Sequence, residues 1–86
     1  MYKIMFSKQA MKDRRRIAEA GLEKRAKALL AVLAENPYQS PPPCEKLVGD
    51  LSGFYSRRIN LQHRLVYSVD DEARLVRILR LWTHYE

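Results

Sequence analysis

Glu45, Arg58, Arg64, His84 and Tyr85 are the residues whose types suit acid–base work on a phosphodiester. A carboxylate can take the proton of an RNA 2′-hydroxyl. Arginines hold phosphate through paired N–H donors and offset the charge of a phosphorane-like transition state, and a histidine, titrating near neutrality, can protonate the departing 5′-oxygen. A tyrosine can stack on a base or orient the phosphate. Such a set needs no metal and no cofactor. By spacing alone, bland readings stay open beside this one: Glu45 as a surface carboxylate, His84 as a frayed terminal residue, Tyr85 as a terminal packing group, and the arginines as halves of intramolecular ion pairs. No glycine-rich phosphate loop, HExxH helix or Cys/His cluster is present. The single Cys44 can form neither an internal disulfide nor a thiolate metal pair, which leaves it as a loop or core filler.

The candidates come from a loop, two strands and the C-terminal segment, so a small curved sheet must bring them together. The stretch Leu51 to Val69 is where that sheet is most legible. Phe54 to Ile59 and Arg64 to Val69 are rich in aromatic and β-branched residues, Ser52-Gly53 precedes them, and Asn60-Leu61-Gln62 separates them, which is the composition of a hairpin. Alternation places Phe54, Ser56 and Arg58 on one face of the first strand and Tyr55, Arg57 and Ile59 on the other. In the second strand, Arg64, Val66 and Ser68 oppose Leu65, Tyr67 and Val69. The expectation is a polar, arginine-bearing face backed by an apolar one, with Arg57, Arg58 and His63 as substrate-binding basic groups beside Arg64.

Upstream, Tyr2, Ile4 and Phe6 alternate with Lys3, Met5 and Ser7 as a short strand, and Ser7 is placed to cap a helix from Lys8 to Ala20. Gly21 suits the left-handed residue after that helix. Leu22, Ala26, Leu29, Leu30 and Leu33 then form the apolar stripe of a second helix, which should stop near Glu35 because Asn36-Pro37 disfavours continuation. Residues 38–50 read as a loop, stiffened by Pro41-Pro42-Pro43, that delivers Glu45 to the start of the hairpin. After a turn at Asp70-Asp71-Glu72, Arg74 to Leu81 alternates as a third consecutive antiparallel strand, and Trp82 to Glu86 closes the chain. The order β-α-α-β-β-β predicts an α+β domain over residues 1–86, a twisted antiparallel sheet with both helices on one face.

The net charge of +6 points to a polyanionic partner, nucleic acid or an acidic protein. Its excess lies in the helical part, where residues 1–36 hold nine basic and four acidic side chains. Arg14-Arg15-Arg16 and the Lys24, Arg25, Lys27 group read either as a solvated face or as a contact surface. No run approaches the length of a membrane span, and the apolar part of the N-terminus is too short for a signal peptide, so a cytoplasmic protein is expected.

At Glu45-Lys46-Leu47, Leu51-Ser52-Gly53-Phe54-Tyr55-Ser56-Arg57-Arg58-Ile59, His63-Arg64-Leu65-Val66-Tyr67 and Trp82-Thr83-His84-Tyr85, in this order, the chain resembles the YoeB/Txe branch of the RelE/ParE toxin superfamily. The resemblance implies the RelE-like fold and a ribosome-dependent mRNA endoribonuclease silenced by an acidic antitoxin of the YefM/Phd kind. It also implies roles: Glu45 the proposed base, Arg64 the phosphate-binding arginine, His84 and Tyr85 the acid and the orienting tyrosine, Arg58 a supporting phosphate contact. Which of Glu45 and His84 gives the proton and which takes it stays open. Homodimerisation is plausible for the branch. The chain departs from the family pattern where Glu86 follows the His-Tyr pair, where Pro-Pro-Pro-Cys precedes Glu45, and at Val48. Two other classes share the scaffold: a ParE-like poison of a DNA topoisomerase, which has no need of a terminal His-Tyr pair, and a nucleic-acid-binding regulator without cleavage.

Overall fold

The computed structural model describes residues 1–84, with Thr83 and His84 described by their backbone. Strand β1, Lys3–Phe6, leads into helix α1, Lys8–Glu19, and helix α2, Glu23–Glu35. Then come β2, Glu45–Lys46, a 3-10 turn at Gly49–Leu51, β3, Tyr55–Arg58, β4, His63–Asp70, and β5, Leu75–His84. No described helix is long and apolar enough to cross a membrane.

Local chemistry accounts for the boundaries. The Ser7 hydroxyl oxygen accepts the Ala10 N–H at 3.0 Å, capping α1, while its O–H donates to the Leu79 carbonyl at 2.7 Å and ties that helix start to β5. Gly21 takes φ +73°, and the Gly21 and Leu22 amides bond back to Ala18 and Ile17, the paired bonds of a Schellman ending. α2 stops at Glu35, and extended Asn36 precedes Pro37. In the hairpin turn, Asn60 Oδ1 accepts the amides of Gln62 and His63.

The sheet order is β1-β5-β4-β3-β2. Buried Ala10, Ile17, Ala26, Leu29 and Leu33 of the helices share one core cluster with Leu65, Tyr67, Val76, Ile78 and Leu81 of the sheet. The α+β architecture and the three consecutive antiparallel strands match expectation. Two details differ. β1 lies parallel to β5, with Lys3 opposite Leu75 and Phe6 opposite Ile78, so the sheet is mixed; alternation in an isolated strand reveals its faces but not its neighbour or direction. A further strand, β2, pairs Glu45 with Ser56 and Lys46 with Tyr55, and two residues are too few to show any period. The last strand also starts one residue later than its alternation suggests, because Arg74 closes the turn at φ +53°. It then runs on through Trp82 and Thr83 to His84.

Arg57 corrects the expected basic face. Alternation turns it toward the core, where it is 1% exposed, and its guanidinium donates to the Tyr67 hydroxyl at 3.1 Å and to the carbonyls of Pro42, Pro37 and Gln39 at 2.6, 3.0 and 2.7 Å. It clamps the proline-rich segment to the sheet instead of facing a substrate. A guanidinium is tolerated there because three loop carbonyls and a phenol oxygen accept from its fork. Burial and the Cys44 contact push the Tyr67 phenol well above its usual range, against the lowering effect of Arg57. The Tyr67 O–H donates to Pro37 at 2.7 Å.

Candidate active site on the outer face of the sheet

β2, β3, β4 and β5 lie side by side, and the candidate residues fall in neighbouring rows of their ladder. Glu45 stands opposite Ser56, Ser56 opposite Val66, Arg58 opposite Arg64, Arg64 opposite Thr83 and His63 opposite His84. The Arg64 guanidinium crosses β3 to meet the Glu45 carboxylate, Nη1 to Oε2 at 3.0 Å, and passes over the Ser56 hydroxyl at 3.4 Å. The two ends of this pair differ in access: the Arg64 side chain is 12% exposed and that of Glu45 54%. A mostly enclosed cation with an accessible carboxylate suits a site that anchors an anionic group and moves a proton beside it.

Two of the residues nominated by type, Glu45 and Arg64, are thus in contact, and the backbone of a third, His84, runs on the strand next to Arg64. The His84 side chain and Tyr85 lie outside the described residues. Arg58 is exposed, and with Arg25 of α2 it borders a shallow depression that links the basic helices to the hairpin. His63, offered as a substrate contact, is instead only 5% exposed, with its ring stacked on the Trp82 indole at 3.8 Å between centroids. It therefore packs against the last strand, a placement its position in a turn-flanking strand did not disclose.

Sequence reasoning missed Ser56 and Asp13. Ser56, 1% exposed, carries the hydroxyl beneath the ion pair; the signal was there in its alternation with Arg58. Asp13 is wholly buried on α1 and accepts from Arg80 Nε at 2.9 Å, Leu81 N at 3.0 Å, Trp82 N at 3.2 Å and Gln9 Nε2 at 3.0 Å. Burial alone would raise its pKa, but the bonds from Arg80, Leu81 and Gln9 outweigh that and hold the carboxyl below its usual value. Its signal was positional: Asp13 interrupts a basic run on the same helical stripe as buried Ala10 and Ile17.

Residues 6–85 match the family described as the YoeB-like toxin of bacterial type II toxin–antitoxin systems. Toxin YoeB of Synechocystis is 40% identical over 65 residues, covering 76% of this chain and 73% of its own. The toxin in a heterotetrameric YoeB-YefM toxin–antitoxin complex from Staphylococcus aureus superposes with a TM-score of 0.82 at 36% identity, over 99% of both chains. The Staphylococcus aureus YoeB dimer gives 0.81 at 36% identity, over 98% of both.

Proposed function

This chain belongs to the YoeB toxin family of bacterial type II toxin–antitoxin systems, and from that premise we propose that it is a ribosome-dependent mRNA endoribonuclease. The observation that carries the reading is the Glu45–Arg64 contact on an outer sheet face, beside the strand that ends in His84. Glu45, on the exposed side of the pair, accepts the 2′-hydroxyl proton in this reading. Arg64 holds the scissile phosphate and offsets the charge that builds on it as the 2′-oxygen attacks phosphorus. His84 then protonates the 5′-oxygen as its bond to phosphorus breaks, and Tyr85 orients the phosphate. The cut leaves a 2′,3′-cyclic phosphate and a 5′-hydroxyl, with atoms and protons balanced by the two side chains alone. Arg58 lies on the approach and supplies a further phosphate contact. Delivery of mRNA by the ribosome substitutes for a deep substrate cleft, since a ribosome presents its codon already extended and oriented.

An acidic antitoxin is the expected protein partner of this basic chain, as the complexed staphylococcal relative suggests, and that relative's dimer makes self-association a reasonable second state. The deciding experiment maps 3′ ends of mRNA on translating ribosomes treated with the chain and with its His84→Ala variant, alongside a gyrase supercoiling assay. Cuts in the decoding-site codon that vanish with His84→Ala, with supercoiling unaffected, are expected. Cleavage unchanged by His84→Ala would refute the assignment of the acid, and gyrase inhibition without cleavage would replace the ribonuclease with a topoisomerase poison.

A further inference from the structure

Asp13 takes no part in the Glu45–Arg64 surface, yet its carboxylate governs the strand that reaches it. In a regular ladder, successive amides point to opposite sides of a strand. Here the amides of Leu81 and Trp82 converge on one oxygen, Asp13 Oδ2, at 3.0 and 3.2 Å. They can do so because the β4–β5 register slips between Arg64 and Val66 and again between Val66 and Tyr67, so that β5 advances from Ile78 opposite Tyr67 to Arg80 opposite Val66 to Thr83 opposite Arg64. Arg80 closes the arrangement, donating Nε to the same Asp13 oxygen at 2.9 Å and Nη2 to the Trp82 carbonyl at 3.0 Å. Immediately beyond this point Thr83 and His84 pair with Arg64 and His63.

A slip of one residue in such a strand reverses the face of every side chain that follows. We propose that Asp13 is a positioning residue whose buried carboxylate locks the bulge at Leu81–Trp82 and thereby decides which residue of the C-terminal segment stands beside Arg64. Its consequence for catalysis rests on the ribonuclease reading above, in which His84 is the acid; its consequence for the strand does not. Asp13→Ala removes every acceptor, while Asp13→Asn keeps an oxygen for the amides and loses the charge opposite Arg80.

Both variants are to be compared with the unaltered chain by ribosome-dependent cleavage kinetics and by amide hydrogen exchange. For Asp13→Ala, kcat should fall by about 100-fold with KM within about twofold, because geometry at the reacting atoms is lost and substrate docking is not. Exchange at Leu81, Trp82, Thr83 and His84 should quicken by about tenfold or more relative to Leu29 and Leu33 of α2. Asp13→Asn should lie between the two in both measurements, and it carries the comparison if Asp13→Ala does not fold. Unchanged kcat in an Asp13 variant of a chain that cleaves, or exchange that quickens equally in α2 and β5, would overturn the proposal. If the unaltered chain does not cleave, the ribonuclease reading fails by itself, and the exchange pattern still decides whether Asp13 sets the strand.

Discussion

Arg64 reaches Glu45 across an intervening strand, Nη1 to Oε2 at 3.0 Å, with Ser56 between them. The two residues are 19 positions apart in the chain and two strands apart in the sheet. An arginine that spans a strand does so at the expense of side-chain freedom, and a partly exposed pair returns only about 0.2–1 kcal/mol. Stability is therefore a poor reason for the contact, and under the proposed ribonuclease function the pair instead serves a phosphate.

Activity and stability should accordingly respond differently to changes in this pair. Glu45→Gln should lower cleavage on translating ribosomes by about 100-fold or more, and Arg64→Lys by about tenfold or more because the ammonium keeps charge but loses the fork. Both should leave the unfolding free energy, read from urea titration, within about 1 kcal/mol of the unaltered chain. Equal cleavage by Glu45→Gln would remove Glu45 from the chemistry.

The elements of this fold were legible wherever a local rule acts on several residues at once. The Ser7 cap, the Gly21 ending, the Leu29–Leu33 stripe and the Asn60 turn all follow from side chains within a few positions of each other. What escaped depends on distant partners. The parallel union of β1 with β5 joins residues as remote in sequence as Lys3 and Leu75, and β2 exists only because Ser56 and Tyr55 are there to pair with it. The candidate site residues divide in the same way: Glu45 and Arg64 stand out by type, but Ser56 joins them only through the crossing of the strand. The arginine at 57 and the histidine at 63 look like their neighbours at 58 and 64 in a motif, and only burial separates them.

Arg57 offers a direct check on that separation. Arg57→Met keeps much of the side-chain length but leaves the carbonyls of Gln39 and Pro42 without their donor, and that of Pro37 with the Tyr67 hydroxyl alone, in and around a buried site. Such a loss should cost about 3 kcal/mol, read as a lowered urea midpoint. RNA affinity of the folded fraction should keep its dependence on salt. A phosphate contact at Arg57 would instead reduce that slope by about one.

Acid should expose the buried carboxylate of α1. The Asp13 pKa is depressed in the folded chain below the ordinary aspartate value, so the unfolded chain binds the proton more readily. The stability it contributes is then fully present above the unfolded value and is lost as pH falls through the folded one. Between about pH 5 and about pH 2 the urea midpoint should fall, and Asp13→Asn, which cannot titrate, should show a shallower fall over that window. Asp71, held low by hydrogen bonds from the Tyr2 and Tyr38 hydroxyls, titrates in both proteins and cancels from the comparison. Parallel curves for the two proteins would show that the carboxyl of Asp13 carries no pH-dependent stability.

The basic helices should act at a distance from the chemistry. Arg14, Arg15 and Arg16 sit on the exposed part of α1, and Arg25 of α2 borders the same depression as Arg58. If these side chains meet ribosomal RNA, they do so at phosphates, releasing counterions and carrying no information about the codon. Replacing Arg15 and Arg16 together by Gln should therefore weaken ribosome binding more at low salt than at high, flattening the slope of log affinity against log salt by about one for each phosphate no longer neutralised. Single-turnover cleavage at saturating ribosome concentration should stay within about threefold, since neither side chain touches the Glu45–Arg64 surface. An unaltered slope would return α1 to the role of a solvated face and leave the hairpin to account for the polyanion affinity.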